Sequence, residues 1–134
     1  MSEIVPFEIA QKLKEKGFPQ HITEDAYIID NYGEEEYIIG DRLPIPLVPD
    51  YMDDVAAPTI SQVLKWLREE KKLHFEFVAA AYGYNVIISQ TPEAGGTDYY
   101  YTHMNDDGPN DGGAWDRYED AALYCIEYVI DNLI

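Results

Sequence analysis

A chain of 134 residues is long enough to bury a core without disulfides or metal, and short enough for a single domain. Nine basic residues against 26 acidic ones give a net charge of −17, which excludes direct binding to nucleic acid, because phosphate binding needs a basic face. One cysteine excludes an internal disulfide, no apolar run reaches the length of a membrane span, and MSEIVPFEIAQ lacks the basic-then-apolar order of a secretory signal, so a soluble cytoplasmic protein is expected.

The first element is a helix over residues 6–16. Pro6 suits its first position. Ile9, Ala10 and Leu13 make a narrow apolar face, Gly17 and Phe18 form a Schellman-type end, and Pro19 stops continuation. Two β-like runs follow, residues 26–30 (AYIID) and 37–40 (YIIG). Turn chemistry at Asn31 and Gly33 joins them into a hairpin, with 34–36 a solvated loop. Residues 43–54, LPIPLVPDYMDD, hold three prolines and read as an extended connection.

Residues 57–80 form the centre of the chain. Thr59 and Gln62 make a capping box, and Ile60, Val63, Leu64 and Leu67 fall at the spacing of one buried helical face, with Trp66 beside it. Lys65, Arg68, Glu69, Lys71 and Lys72 occupy the rest, and the cations cluster in the last turn, at the negative end of the helix dipole. No glycine closes this helix. The period changes at Leu73, where Phe75, Phe77 and Ala79 alternate with His74, Glu76 and Val78, so a strand begins. Gly83 marks a turn, a second strand covers 84–90, TPEAGG is a loop, and a third strand covers 97–103. The polar loop 105–113 leads to Asp116 and Glu119, a second capping-box pair. The last helix carries Tyr118, Ala122, Cys125, Ile126, Val129 and Leu133 at helical spacing, widened by Ala121, Ile130 and Ile134.

The expected fold is α+β, one domain over 1–134. A three-stranded antiparallel meander and an N-terminal hairpin are packed by N-terminal, central and C-terminal helices, and residues 58–134 form an α-β-β-β-α core after the N-terminal 1–57. Charge is uneven. Residues 1–57 hold 4 basic and 13 acidic residues, 58–80 hold 4 and 3, and 81–134 hold 1 and 10. Charge of this sign keeps a chain soluble. It also builds a surface that imitates nucleic acid or attracts a basic partner.

Asp106, Asp107, Asp111 and Asp116 crowd one loop and are the metal candidates. An EF-hand loop begun at Asp107 fails at its third position, Pro109, and its twelfth, Tyr118. His21, His74 and His103 lack the spacing of a zinc site. Cys125 lies mid-helix on the apolar stripe, where nothing lowers its pKa toward a nucleophile's. No cofactor fingerprint occurs, and no catalytic residue is nominated. Tyr99, Tyr100 and Tyr101 are consecutive, so a strand must turn at least one of them from the core; with Trp115 they are the interaction candidates.

The stretch Ala57-Pro58-Thr59-x-Ser61-x-Val63-x-x-Trp66-Leu67-Arg68-Glu69, then Tyr118-Glu119-x-Ala121 and an apolar helix ending Leu133-Ile134, resembles a group of small proteins common in phages, prophages and genomes of gut Bacteroidetes. Ile9-Ala10-x-x-Leu13-Lys14-x-x-Gly17-Phe18 resembles their start. The resemblance implies phage or mobile-element origin and no assigned activity. The leading expectation is therefore a non-enzymatic accessory protein that binds another protein, such as an inhibitor of a host factor through a DNA-like surface. The other expectations are a small enzyme or metal-binding protein with a cryptic site near 105–116, and a structural component of a virion. The sequence does not specify the partner or the oligomeric state.

Overall fold

A computed structural model describes residues 3–20, 23, 26–29, 35–38, 55–90, 101–105, 108–110 and 113–134. In chain order these form α1 (Phe7–Glu15), β1 (Ala26–Ile29), β2 (Glu35–Ile38), β3 (Val55–Ala56), α2 (Ile60–Glu70), β4 (Leu73–Ala80), β5 (Gly83–Gln90), β6 (Tyr101–Asn105) and α3 (Tyr118–Asn132). The class is α+β, with two three-stranded antiparallel sheets ordered β2-β1-β3 and β4-β5-β6 and helices packed on them. The chain divides into two compact units, Ser2–Thr59 and Ile60–Ile134. The proline-rich stretch 43–54, the TPEAGG loop and residues 97–100 lie outside the described residues.

In the N-terminal unit, α1 buries Ile9, Ala10 and Leu13, as their spacing requires. Pro6 is the N-cap rather than the first helical residue, because its ψ of 157° is extended. The helix ends as expected. Gly17 takes φ +92°, Phe18 N–H donates to the Leu13 carbonyl (2.9 Å), and Gly17 N–H donates to the Lys14 carbonyl (3.1 Å), the two bonds of a Schellman motif. The hairpin forms, paired from Ala26↔Ile38 to Ile29↔Glu35. Glu35 and Glu36 belong to β2 instead of the expected loop, because the ladder with Ile29 and Ile28 overrides their weak strand propensity.

Val55 and Ala56 add a third strand that two residues of sequence could not announce. They pair with Tyr27 and Ala26, and both are buried. The buried Gln20 amide ties this strand to the end of α1. Its Nε2 donates to the Phe18 carbonyl (2.9 Å), and its Oε1 accepts from Ala56 N–H (2.8 Å). Tyr27 donates its hydroxyl to the Val5 carbonyl (2.7 Å) and meets the Phe7 ring edge-on at 5.5 Å.

In the second unit, α2 buries Ile60, Val63, Trp66 and Leu67. Trp66 replaces Leu64 in the expected stripe. Leu64 is half-buried, whereas the larger indole reaches inward with Lys71 Nζ 5.3 Å over its ring. The missing glycine is answered by Lys72 itself, which adopts φ +58° and donates Nζ to the Glu69 carbonyl (3.0 Å). That left-handed residue turns the chain from helix into β4.

β4 and β5 pair from Leu73↔Gln90 to Ala80↔Gly83 around a two-residue turn, Ala81-Tyr82. β6 pairs with β5 from Gln90↔Tyr101 to Val86↔Asn105. It therefore runs two residues past the expected end at His103 and takes in Asn105, the first residue of the expected loop.

Helix α2 packs on β4, α3 packs on β5, and the two helices touch each other. The core between them and the sheet holds Leu73, Val86 and Ile88 with Ala121, Ala122, Cys125, Ile126, Val129 and Ile130 of α3. Each fully buried Val, Leu or Ile of this core contributes about 1.5–3 kcal/mol. Arg117, not Asp116, is the N-cap of α3 and makes no side-chain cap bond. The Asp116 carboxylate is held by Asn110 instead.

Candidate functional site

Among the described residues three large aromatic side chains are exposed, all in the second unit: Tyr82 (60% exposed), Tyr118 (39%) and Tyr124 (39%). Each is placed by a rigid element. Tyr82 sits in the β4–β5 turn, just before Gly83, whose φ of +133° few side chains adopt. A Cβ on Gly83 would overlap the Trp115 carbonyl. That close approach lets Tyr84 and Trp115 exchange two backbone hydrogen bonds, Tyr84 N–H to the Trp115 carbonyl (2.7 Å) and Trp115 N–H to the Tyr84 carbonyl (2.9 Å).

The segment ahead of α3 is thereby fastened to the hairpin, and Asn110 fastens it again. Its Nδ2 donates to the Tyr82 carbonyl (2.6 Å) and to Asp116 Oδ1 (2.7 Å), while its N–H donates to the Ala114 carbonyl (3.0 Å). Asn85 Nδ2 adds a bond to the Gly113 carbonyl (3.2 Å).

On this base the rings interlock. Tyr118 lies 4.3 Å from Tyr84 and 4.9 Å from Phe77, between ring centroids, and Tyr124 lies 5.1 Å from Trp115. Such contacts are favourable and hold the exposed rings in one orientation. The segment that carries Tyr118 and Tyr124 also carries carboxylates: Asp116 and Asp120 are exposed, and Glu119 and Glu127 are half-exposed. Arg117 lies 3.5 Å from Glu119 and 3.9 Å from Asp120, in solvent-exposed pairs that contribute little to stability. The arrangement offers flat aromatic area and negative charge on a fixed frame, which suits binding rather than bond-making.

Of the residues nominated from sequence, Tyr99, Tyr100, Asp106, Asp107 and Asp111 lie outside the described residues, as does His21. Tyr101 opens β6 opposite Gln90, and His103 stands opposite Ile88. Trp115 is only 7% exposed and packs inward under Tyr124. Asp116 is exposed and serves as the acceptor for Asn110. Cys125 is fully buried. Among the described residues no three His, Cys, Asp or Glu side chains gather as a metal site. No described helix is long and apolar enough to cross a membrane.

Tyr82, Tyr118 and Tyr124 were not singled out from sequence as interaction residues. Tyr124 carried a signal, because it lies off the apolar stripe of the last helix. Tyr118 sits at the helical period of that stripe but in the first turn, where the helix rim meets solvent. No family model matches the chain, and no curated protein or solved structure matches it either.

Proposed function

We propose that this chain is a non-enzymatic interaction protein whose Tyr82–Tyr118–Tyr124 surface docks a basic partner protein. The carrying observation is a set of exposed tyrosines on a hydrogen-bonded frame, in a unit whose last helix and its lead-in also carry exposed carboxylates. Tyrosine supplies contact area at little entropic cost, and carboxylates beside it select lysine and arginine on the partner. The net charge of −17 supports the same reading, since it steers basic proteins toward the chain and repels nucleic acid. The resemblance to phage and prophage proteins supports a mobile-element accessory role in the cytoplasm of a bacterial host, with a nucleic-acid-handling host protein as the partner class.

The test is a tagged pull-down from lysate of a gut Bacteroidetes host, run with the parent chain and with a Tyr82→Ser, Tyr118→Ser, Tyr124→Ser triple variant at low and high salt. A basic partner held by the parent, weakened by salt and lost in the variant is the expected result. Capture that ignores the triple substitution refutes the tyrosine surface. Duplex DNA should compete for the captured partner, and failure to compete removes the nucleic-acid-like reading.

A further inference from the structure

Among the described residues β4 carries a strand on only one side, in the order β4-β5-β6. Sheets in natural proteins protect such an edge with proline, lysine, a bulge or a short strand. β4 has none of these. It is eight residues long, LHFEFVAA, and pairs one-to-one with β5 along its whole length. Between Lys72 and Ala79 Leu73 is buried, His74, Phe75, Phe77 and Val78 are half-buried and Glu76 is exposed, so the strand is not covered along its whole length. A cavity of about 250 Å³ lies beside it, lined by Leu64, Arg68, Leu73, His74, Phe75 and Phe77. Successive strand residues point to opposite faces. A cavity lined by Leu73, His74 and Phe75 together therefore follows the edge itself rather than either face.

We propose that β4 is a self-association edge through which two copies of this chain join antiparallel, making one six-stranded sheet about a two-fold axis at Phe75. Two features of the strand select a second copy as the occupant. The first is self-complementarity. A two-fold axis normal to the sheet pairs only residues of the same face, so it must pass through one residue of the strand. Centred on Phe75, it sets Phe75 opposite Phe75 of the second copy, Leu73 opposite Phe77, and His74 opposite Glu76. These are an aromatic pair, an apolar pair and an imidazole–carboxylate pair, the cross-strand combinations that stabilise sheets. Centred one residue later, the axis would set two Glu76 carboxylates against each other.

The second feature is charge. Residues 58–80 hold four basic and three acidic residues, whereas the rest of the chain holds five and 23. Two chains of net charge −17 repel least where this stretch faces its copy. Tyr118 packs on Phe77 of this strand, but none of Tyr82, Tyr118 and Tyr124 belongs to β4, so this association goes beyond the partner-docking role and is tested separately from it.

Sedimentation equilibrium over a hundred-fold concentration range tests the proposal. The expected result is a reversible shift from 15.4 kDa to twice that mass, strengthened by salt because screening removes long-range repulsion. His74→Glu sets two carboxylates opposite each other and should weaken the dimer at least ten-fold. Adding Glu76→Lys to that variant restores opposite charges across the axis and should return the dissociation constant to within a few-fold of the parent. A strand that is merely structural would show no such rescue. As an independent readout, Phe75→Cys should oxidise to a covalent dimer while Val78→Cys should not, and the native Cys125 is fully buried and does not compete. A chain that stays at 15.4 kDa throughout, or a dimer indifferent to the charge swap and to the cysteine position, overturns the proposal.

Discussion

Replacing Gly83 by alanine should destabilise the second unit severely, by an amount that can be built from the structure. The backbone at this position has φ +133°, where a non-glycine residue costs about 1–3 kcal/mol. The new methyl would also overlap the Trp115 carbonyl, so the segment before α3 must move away from the hairpin. That movement breaks both Tyr84–Trp115 hydrogen bonds, each worth about 0.5–1.5 kcal/mol net. It also loosens the Asn110 contact with the Tyr82 carbonyl. The total is roughly 2–6 kcal/mol, a large part of the ~5–15 kcal/mol that holds a domain together. Urea unfolding followed by tryptophan fluorescence reports this unit selectively, because both tryptophans, Trp66 and Trp115, lie within Ile60–Ile134. A loss below about 2 kcal/mol would show that the two Tyr84–Trp115 bonds are not broken and that the close approach to Trp115 is not needed.

Lys72→Gly should stabilise the same unit by about 0.5–1 kcal/mol. Glycine removes the ~1 kcal/mol penalty of a side chain at φ +58°, and the lost bond to the Glu69 carbonyl is solvent-exposed and offsets only part of the gain. A raised urea midpoint at unchanged slope checks this, and a lowered midpoint contradicts it. Gln20→Leu should cost the N-terminal unit about 1–3 kcal/mol, because the Ala56 N–H loses its buried acceptor. Faster hydrogen exchange at the Ala56 amide, with the tryptophan-detected transition unmoved, is the expected signature.

Local chemistry was legible from the residues alone. Gly17 and Phe18 announced a Schellman end because only glycine adopts φ > 0 there without strain, and the bonds observed are those the motif requires. The alternation after Leu73 announced β4, and Gly83 announced its turn, because period and special backbone positions belong to the chain itself. The apolar stripe of α3 foretold which residues would be buried, from Ala121 to Ile130.

Other features depended on partners far away in sequence. The strand at Val55–Ala56 exists because β1, nearly thirty residues earlier, offers it a ladder. Glu35 and Glu36 are strand residues for the same reason. Asp116 forfeited the cap of α3 because Asn110 claims its carboxylate, a competition invisible in the spacing of the Asp116–Glu119 pair. The candidate surface belongs to this second kind. Sequence could count tyrosines but could not say which would face water, because exposure is set by what packs above each ring. Trp115 was drawn inward by its backbone pairing with Tyr84, while Tyr82, Tyr118 and Tyr124 were left at the surface. Periodicity and backbone preference are written into neighbouring residues, whereas burial and open edges are decided only when separate elements meet.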